Sequence, residues 1–179
     1  MNRHRLSLMF LLGALLLGLV AAPRLRAAAP PIVINEILAG NASVNLDPQF
    51  TNFAPWVELY NAGSSAVSLA GYHLSDDATN PTGYTLPASA SIPAGGRLLL
   101  WYDEMATGVH TSLSLDMRGD TVALFMPDGT LVDAVTYGSQ LDGETLVDVS
   151  YGRAGDGAGT WASFDPPTPG AANSGGLAT

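Results

Sequence analysis

The chain has 179 residues, seven arginines or lysines against 16 aspartates and glutamates, and no cysteine. Without cysteine it can hold no disulfide, zinc finger, thiol nucleophile or lipid-bearing thiol. Four of the seven cations (Arg3, Arg5, Arg24, Arg26) precede residue 30, so the remainder sets Arg97, Arg118 and Arg153 against all 16 acids, a net of −13. Such a surface repels phosphate backbones and anionic headgroups, which excludes nucleic acid and membrane surfaces as partners.

In chain order, Arg3 and Arg5 lead into an apolar run from Leu6 to Ala22, and Ala27-Ala28-Ala29 supplies small residues of the kind a signal peptidase accepts. Residues 1–29 are expected to be a signal-peptide helix, cleaved to leave a secreted or cell-surface protein free of the membrane. The alternative is a retained anchor, for which this run is at the lower limit of a bilayer span. Residues 30–179 have the length of one domain and bury enough surface for a core without covalent staples.

After the leader no stretch shows a 3.6-residue apolar period. Short β-rich runs follow instead: Ile32–Leu38, Trp56–Tyr60, Val67–Leu69, Tyr72–Ser75, Gly83–Leu86, Arg97–Tyr102, Ser112–Leu115, Thr121–Met126, Thr130–Tyr137, Leu146–Tyr151 and Thr160–Phe164. Strands this short, bounded by Gly, Pro, Asn and Asp, predict an antiparallel sandwich or barrel. Asp128-Gly129 between two apolar runs predicts a hairpin, and Pro93-Ala94-Gly95-Gly96 and Asn61-Ala62-Gly63 predict turns. Residues 39–55 read as a long exposed loop. Residues 174–179 read as a flexible tail or linker beyond a domain spanning 30–173. The likeness of 130–138 to 145–152 marks two similar strands and no solenoid.

Trp56 and Tyr60 share one face of their strand, Val57 and Leu59 the other. Both faces are apolar, so the strand is expected to be central and buried. Glu58 lies on the Trp56 face and is expected to accept loop N–H groups. Catalytic signatures are lacking. There is no Gly-x-Ser-x-Gly elbow, no His-Glu-x-x-His, no P-loop and no dinucleotide fingerprint. His73 reads as a half-exposed strand residue and His110 as a solvated turn residue. Arg118-Gly119-Asp120 spells the integrin-binding tripeptide, but its Gly-Asp belongs to the turn entering the Thr121 strand. The expectation is therefore no enzyme and no cofactor. The one cofactor with a case is calcium, on Asp76, Asp77, Asp103 and Glu104, because loop oxygens of this kind are its usual ligands. The plainer reading is solvated turn acids. Trp101, Tyr102 and Trp161 read either as a platform for carbohydrate or protein, or as core.

Ile32-Val33-Ile34-Asn35-Glu36-Ile37-Leu38 resembles the opening strand of lamin-tail domains, and Trp56-Val57-Glu58-Leu59-Tyr60-Asn61 their central signature. Val67 to Asp76, the Ile92–Gly96 turn, Gly119 to Leu124 and the closing Pro167-Thr168-Pro169-Gly170-Ala171-Ala172-Asn173 are similar to the same family. The resemblance implies an immunoglobulin-like antiparallel β-sandwich, with Trp56, Glu58, Leu59, Tyr60 and Asn61 as structural residues. The Ser75-Asp76-Asp77 and Val149–Arg153 segments look most like the bacterial, exported module found beside kinase-like domains related to spore coat protein H. The function implied is a non-catalytic extracellular binding or assembly module with a protein or polysaccharide partner at the cell surface. The alternative is an accessory or targeting domain of a larger exported enzyme (hydrolase, nuclease or kinase-like) of which this chain is the N-terminal fragment.

Overall fold

The computed structural model describes residues 30–178 apart from 140, 143 and 146. The expected leader, Leu146 and Thr179 lie outside the described residues. Among those described the chain forms strands and no helix. One sheet runs in the order β14 (Leu177–Ala178), β13 (Ala158–Phe164), β12 (Ser150–Gly155), β1 (Ile32–Leu38), β2 (Trp56–Asn61), β7 (Arg97–Trp101). The other is ordered β5 (Tyr84–Thr85), β4 (His73–Ser75), β8 (Asp120–Phe125), β9 (Leu131–Tyr137). Short pairs join β3 (Val67–Ser68) to β6 (Ser91–Ile92) and β10 (Leu141–Asp142) to β11 (Glu144–Thr145). All these ladders are antiparallel, and the arrangement is an immunoglobulin-like β-sandwich.

Alternation explains the core. Ile32, Ile34, Ile37, Val57, Leu59 and Leu100 of the larger sheet meet Leu74, Val122, Leu124, Val135 and Tyr137 of the smaller one in a continuous buried cluster. The β8–β9 hairpin turns at Asp128-Gly129. The Met126 N–H donates to Thr130 O at 2.8 Å, and the Asp128 carboxylate accepts the Thr130 N–H at 2.9 Å.

The outer face of the larger sheet is buried as well. Leu38, Trp56 and Trp101 stand side by side across three strands and form a second cluster with Ala54. Residues 39–55 are exposed along much of their length, as their composition predicts, yet Ala39, Asp47 and Ala54 are buried. Trp101 and Tyr102 are core residues. Trp161 is half-buried, stacked on Tyr151 at 4.9 Å with the Arg153 guanidinium 5.1 Å from its ring centre.

Two predicted strands take another form. Ser112–Leu115 has no ladder, because the Thr111 hydroxyl captures the Leu113 N–H at 3.1 Å in a local turn that competes with strand pairing. In the predicted Leu146–Tyr151 run, the described residues become strand at Ser150. Before it, Asp148 adopts a φ of 70° and its carboxylate accepts the Ala42 and Ser43 N–H groups at 2.6 and 3.0 Å, pinning the 39–55 loop. After Asn173 the chain returns to the sheet, and Leu177 pairs with Ser163.

Trp56 is wholly buried. Trp56→Ala is expected to cost about 3–5 kcal/mol, the range for a large aromatic removed from a core, read as a shift between the urea melts of the two proteins. Coincident melts would place Trp56 outside the packed interior.

Candidate functional site

The middle of the larger sheet's outer face carries two buried carboxylates, and the chain is built to satisfy them. β1 and β2 lose register between Ile34 and Glu36, so Asn35 is a bulge residue. The bulge lets Asn35 and Glu36 both bond on the outer face while Ile34 and Ile37 stay in the core. Glu36 accepts the Thr168 N–H at 2.8 Å, the Thr168 hydroxyl at 2.7 Å and a short bond from the Ser150 hydroxyl. Glu58 accepts the Asn35 amide at 2.9 Å and the Gly170 N–H at 2.7 Å.

Arg97 pairs opposite Tyr60 on β7 and lays its guanidinium 5.0 Å from that ring. Its Nε approaches Glu58 at 3.4 Å, an ion pair by distance without hydrogen-bond geometry, while its Nη2 bonds Asp156. Asn173 closes the network. Its amide donates to Arg153 O at 2.8 Å and Asn35 O at 3.2 Å, and its Oδ1 accepts from Asn35 at 3.1 Å. Two glycines make room. A Cβ on Gly152 would sit 3.0 Å from the Asn173 amide and 3.1 Å from Glu36, and Gly157, at φ 72°, donates its N–H to Asn35 Oδ1 at 3.0 Å.

The electrostatics follow from burial. Glu58 is pushed up from 4.5 to about 7, first by loss of solvent and then by the neighbouring Glu36 charge, against the opposing bonds from Asn35 and Gly170 and the Arg97 charge. Asp156 also loses solvent, but Arg97, Asn173 and Asn35 together hold it below its ordinary value. The other signature residues are structural too. Leu59 is core, and the Asn61 amide donates to Ser65 O, Ile92 O and Pro93 O at 2.8, 3.0 and 3.1 Å, closing the turns at that end.

A second polar cluster lies at the Trp56–Trp101 end. Asp47, Asp103 and His110 each present one ligand atom within 4.8 Å of the others, the single such group of His and acids among the described residues. His110 Nδ1 lies 2.7 Å from Asp103 Oδ2 and 3.7 Å from Asp47 Oδ2. His110 is therefore buried where the sequence predicts a solvated turn. Its ring also meets the Phe50 edge, with centroids 4.6 Å apart. Of the acids weighed for calcium, Asp103 alone joins this group. Asp103 turns to His110 and Asp47, whereas Asp76, Asp77 and Glu104 are exposed and join no such group. Asp77 accepts the Thr79 N–H and hydroxyl at 2.8 and 2.7 Å.

Among the described residues no nucleophile stands beside a base with an orienting acid. His73 Nδ1 meets only the Thr85 hydroxyl, at 3.0 Å, beside a shallow hollow lined by Pro81, Thr82 and Pro127. The Asp of Arg118-Gly119-Asp120 is engaged locally, accepting the Thr121 and Asp116 N–H groups.

The fold, the Trp56–Asn61 strand and the carboxylate-centred outer face define an immunoglobulin-like structural module. The family model for the Lamin Tail Domain matches residues 26–139, and the chain belongs to that family. No curated protein matches it. Lamin tail domains are generally non-catalytic modules of binding and assembly. The match ends before β12, so Ser150, Asp156, Thr168, Gly170 and Asn173, which supply much of the carboxylate network, lie beyond the matched residues.

Glu58 accepts a loop N–H as its face predicts, from Gly170, whereas its partner Asn35 and the neighbouring carboxylate Glu36 are roles the sequence reading does not assign. Asp47 is unassigned there as well. The signal for the first two was present, since an Asn-Glu pair inside an apolar strand cannot alternate both residues outward without a bulge.

Because the folded state holds the Glu58 proton up to about pH 7 and the unfolded chain releases it near 4.5, the folded form binds more protons between these values. The associated stability is fully present below about 4.5 and is lost as pH rises through about 7. Urea melts across that window should show this fall in the native protein and a flatter profile in Glu58→Gln. Parallel profiles would mean that Glu58 titrates as an ordinary carboxyl.

Proposed function

We propose that this lamin tail domain is an exported, non-catalytic module that binds a protein at the cell surface. The observation that carries this reading is the division of its residues. The buried polar groups of the outer face hold the fold together, while the loops above Trp56 and Trp101 expose large apolar side chains. Val44, Leu46 and Phe53 are exposed on one loop, and Met105 on the loop that carries Asp103 and His110. Exposed apolar groups of this kind are the usual raw material of protein interfaces.

A polysaccharide partner is less well supported. Sugar-binding faces stack on a platform of exposed aromatic rings, but Trp56, Trp101 and Tyr102 are interior, Trp161 is half-buried against Tyr151 and Arg153, and Phe53 is the single aromatic among the large exposed apolar side chains of the described residues. The leader-like segment before residue 30 fits export. The excess of acids fits a soluble surface with no affinity for nucleic acid. The alternative, an accessory domain of a larger exported enzyme, uses the same surface and differs only in what is joined to it.

The test is capture from the source organism's envelope fraction with the purified protein as bait. The expected result is a protein retained by the native chain and lost with Leu46→Asp or Phe53→Asp, but kept with Leu131→Asp, an exposed apolar site on β9. Melting curves should show all three variants folded. Retention by insoluble cell-wall glycan instead, or capture indifferent to Leu46 and Phe53, would overturn the reading.

A further inference from the structure

We propose that Asp47, Asp103 and His110 form a binding site for a divalent transition metal of the zinc type, which joins the 39–55 loop to the loop after β7. The three side chains come from two loops and meet in the interior. Asp47 and His110 are almost wholly buried, and the Asp103 side chain is 5 % exposed.

Each carboxylate is aimed by its other oxygen. Asp47 Oδ1 accepts the Gln49 N–H at 2.8 Å, and Asp103 Oδ1 accepts the Met105 N–H at 3.2 Å. Both Oδ2 atoms are left facing His110 Nδ1, at 3.7 and 2.7 Å. The backbone holds the same arrangement. The Asp47 N–H donates to Asn52 O at 2.9 Å, and a reverse turn pairs Thr107 with His110 in both directions at 2.9 and 3.0 Å.

The observation that points to a ligand is Asp47 Oδ2. It is buried, it accepts no hydrogen bond, and it is directed into the cluster. A buried carboxylate oxygen without a donor costs free energy that a cation would recover. His110 offers one nitrogen for two acids, and its close bond goes to Asp103. A second positive centre is therefore what the geometry lacks.

The donor set selects the metal. Calcium takes six to eight oxygens and does not use imidazole, whereas zinc and its first-row neighbours bind imidazole nitrogen with carboxylate oxygen at three or four protein ligands. In a tetrahedral zinc site, donors about 2.0–2.1 Å from the ion lie roughly 3.3 Å apart. The two distances to His110, 2.7 and 3.7 Å, bracket that value, and all three donor atoms lie within 4.8 Å of one another, so modest side-chain shifts admit the ion. Entry displaces whatever proton lies between His110 and Asp103. Three protein ligands leave one tetrahedral position for water.

The experiment titrates the purified protein with zinc chloride by calorimetry and with cobalt chloride by visible absorption. One equivalent of zinc per chain is expected, released by a chelator. Cobalt should show the d–d absorption of a low-coordinate site. A hundredfold excess of zinc over Kd should raise the melting midpoint by roughly 5–10 °C, while equal calcium leaves it unmoved. Asp47→Asn should weaken zinc binding by about a hundredfold or more and abolish the zinc-dependent shift, and His110→Ala should do the same if it folds. Asp77→Asn should bind as the native chain does. The proposal is overturned if the native protein takes up no zinc at submillimolar concentration, or if Asp47→Asn binds it unchanged.

Discussion

Two carboxylates buried on the outer face of one sheet are the constraint on which the rest of the structure depends. An ionised carboxylate loses several kcal/mol of solvation on burial, and only a full complement of donors offsets that. Glu36 and Glu58 are both completely buried. Glu36 accepts three hydrogen bonds, from Ser150 and from the backbone and side chain of Thr168. Glu58 has two bonds and the Arg97 charge, which only partly offset the loss of solvent that raises its proton affinity.

Much else in the fold serves these two groups. The bulge at Asn35 brings an amide onto the outer face, the absent side chain at Gly152 leaves space for Asn173, and Asp156 holds Arg97 across Tyr60. The segment from Thr168 to Asn173 has no regular structure, yet it contributes more to the network than any strand except β1. It behaves as a clasp over β1 and β2, and it accounts physically for a Thr-Pro-Gly stretch that has no hydrophobic reason to dock. Asp133 and Arg153 provide a comparable fastening between the sheets, because Asp133 accepts the Ile34 N–H at 2.8 Å and Arg153 at 2.9 Å.

The strands were legible because their cause is local. Alternation and β-branching mark Ile32–Leu38, which is observed with the same bounds, and Asp128-Gly129 marks a tight hairpin by its own side-chain chemistry. Trp56 and Glu58 could be assigned a face for the same reason. What could not be read is long-range. Glu36 and Thr168 are 132 residues apart, Glu58 and Gly170 are 112 apart, and no periodicity records such a pairing. Asp47 and His110 looked like solvated loop residues because composition describes a loop's average, and each is the buried exception in a polar segment. Ser112–Leu115 failed as a strand where the Thr111 hydroxyl seized the Leu113 N–H, a competition that propensity does not count, and the chain before β12 turns at Asp148, whose φ is 70° and whose N–H bonds Gly40 O.

The most direct measurement compares two truncations by urea denaturation. Removing 174–179 takes away the short edge strand β14 and leaves the clasp. Removing 168–179 also takes away the Thr168 donors of Glu36 and the Gly170 donor of Glu58, leaving each acid with a single donor, Ser150 or Asn35. If the buried carboxylates are the governing constraint, the first loses little stability, and the second loses about 3–5 kcal/mol, the cost of stranding a buried charge, or fails to fold. Two truncations that melt together would contradict this account and return the stability of the domain to its apolar core alone.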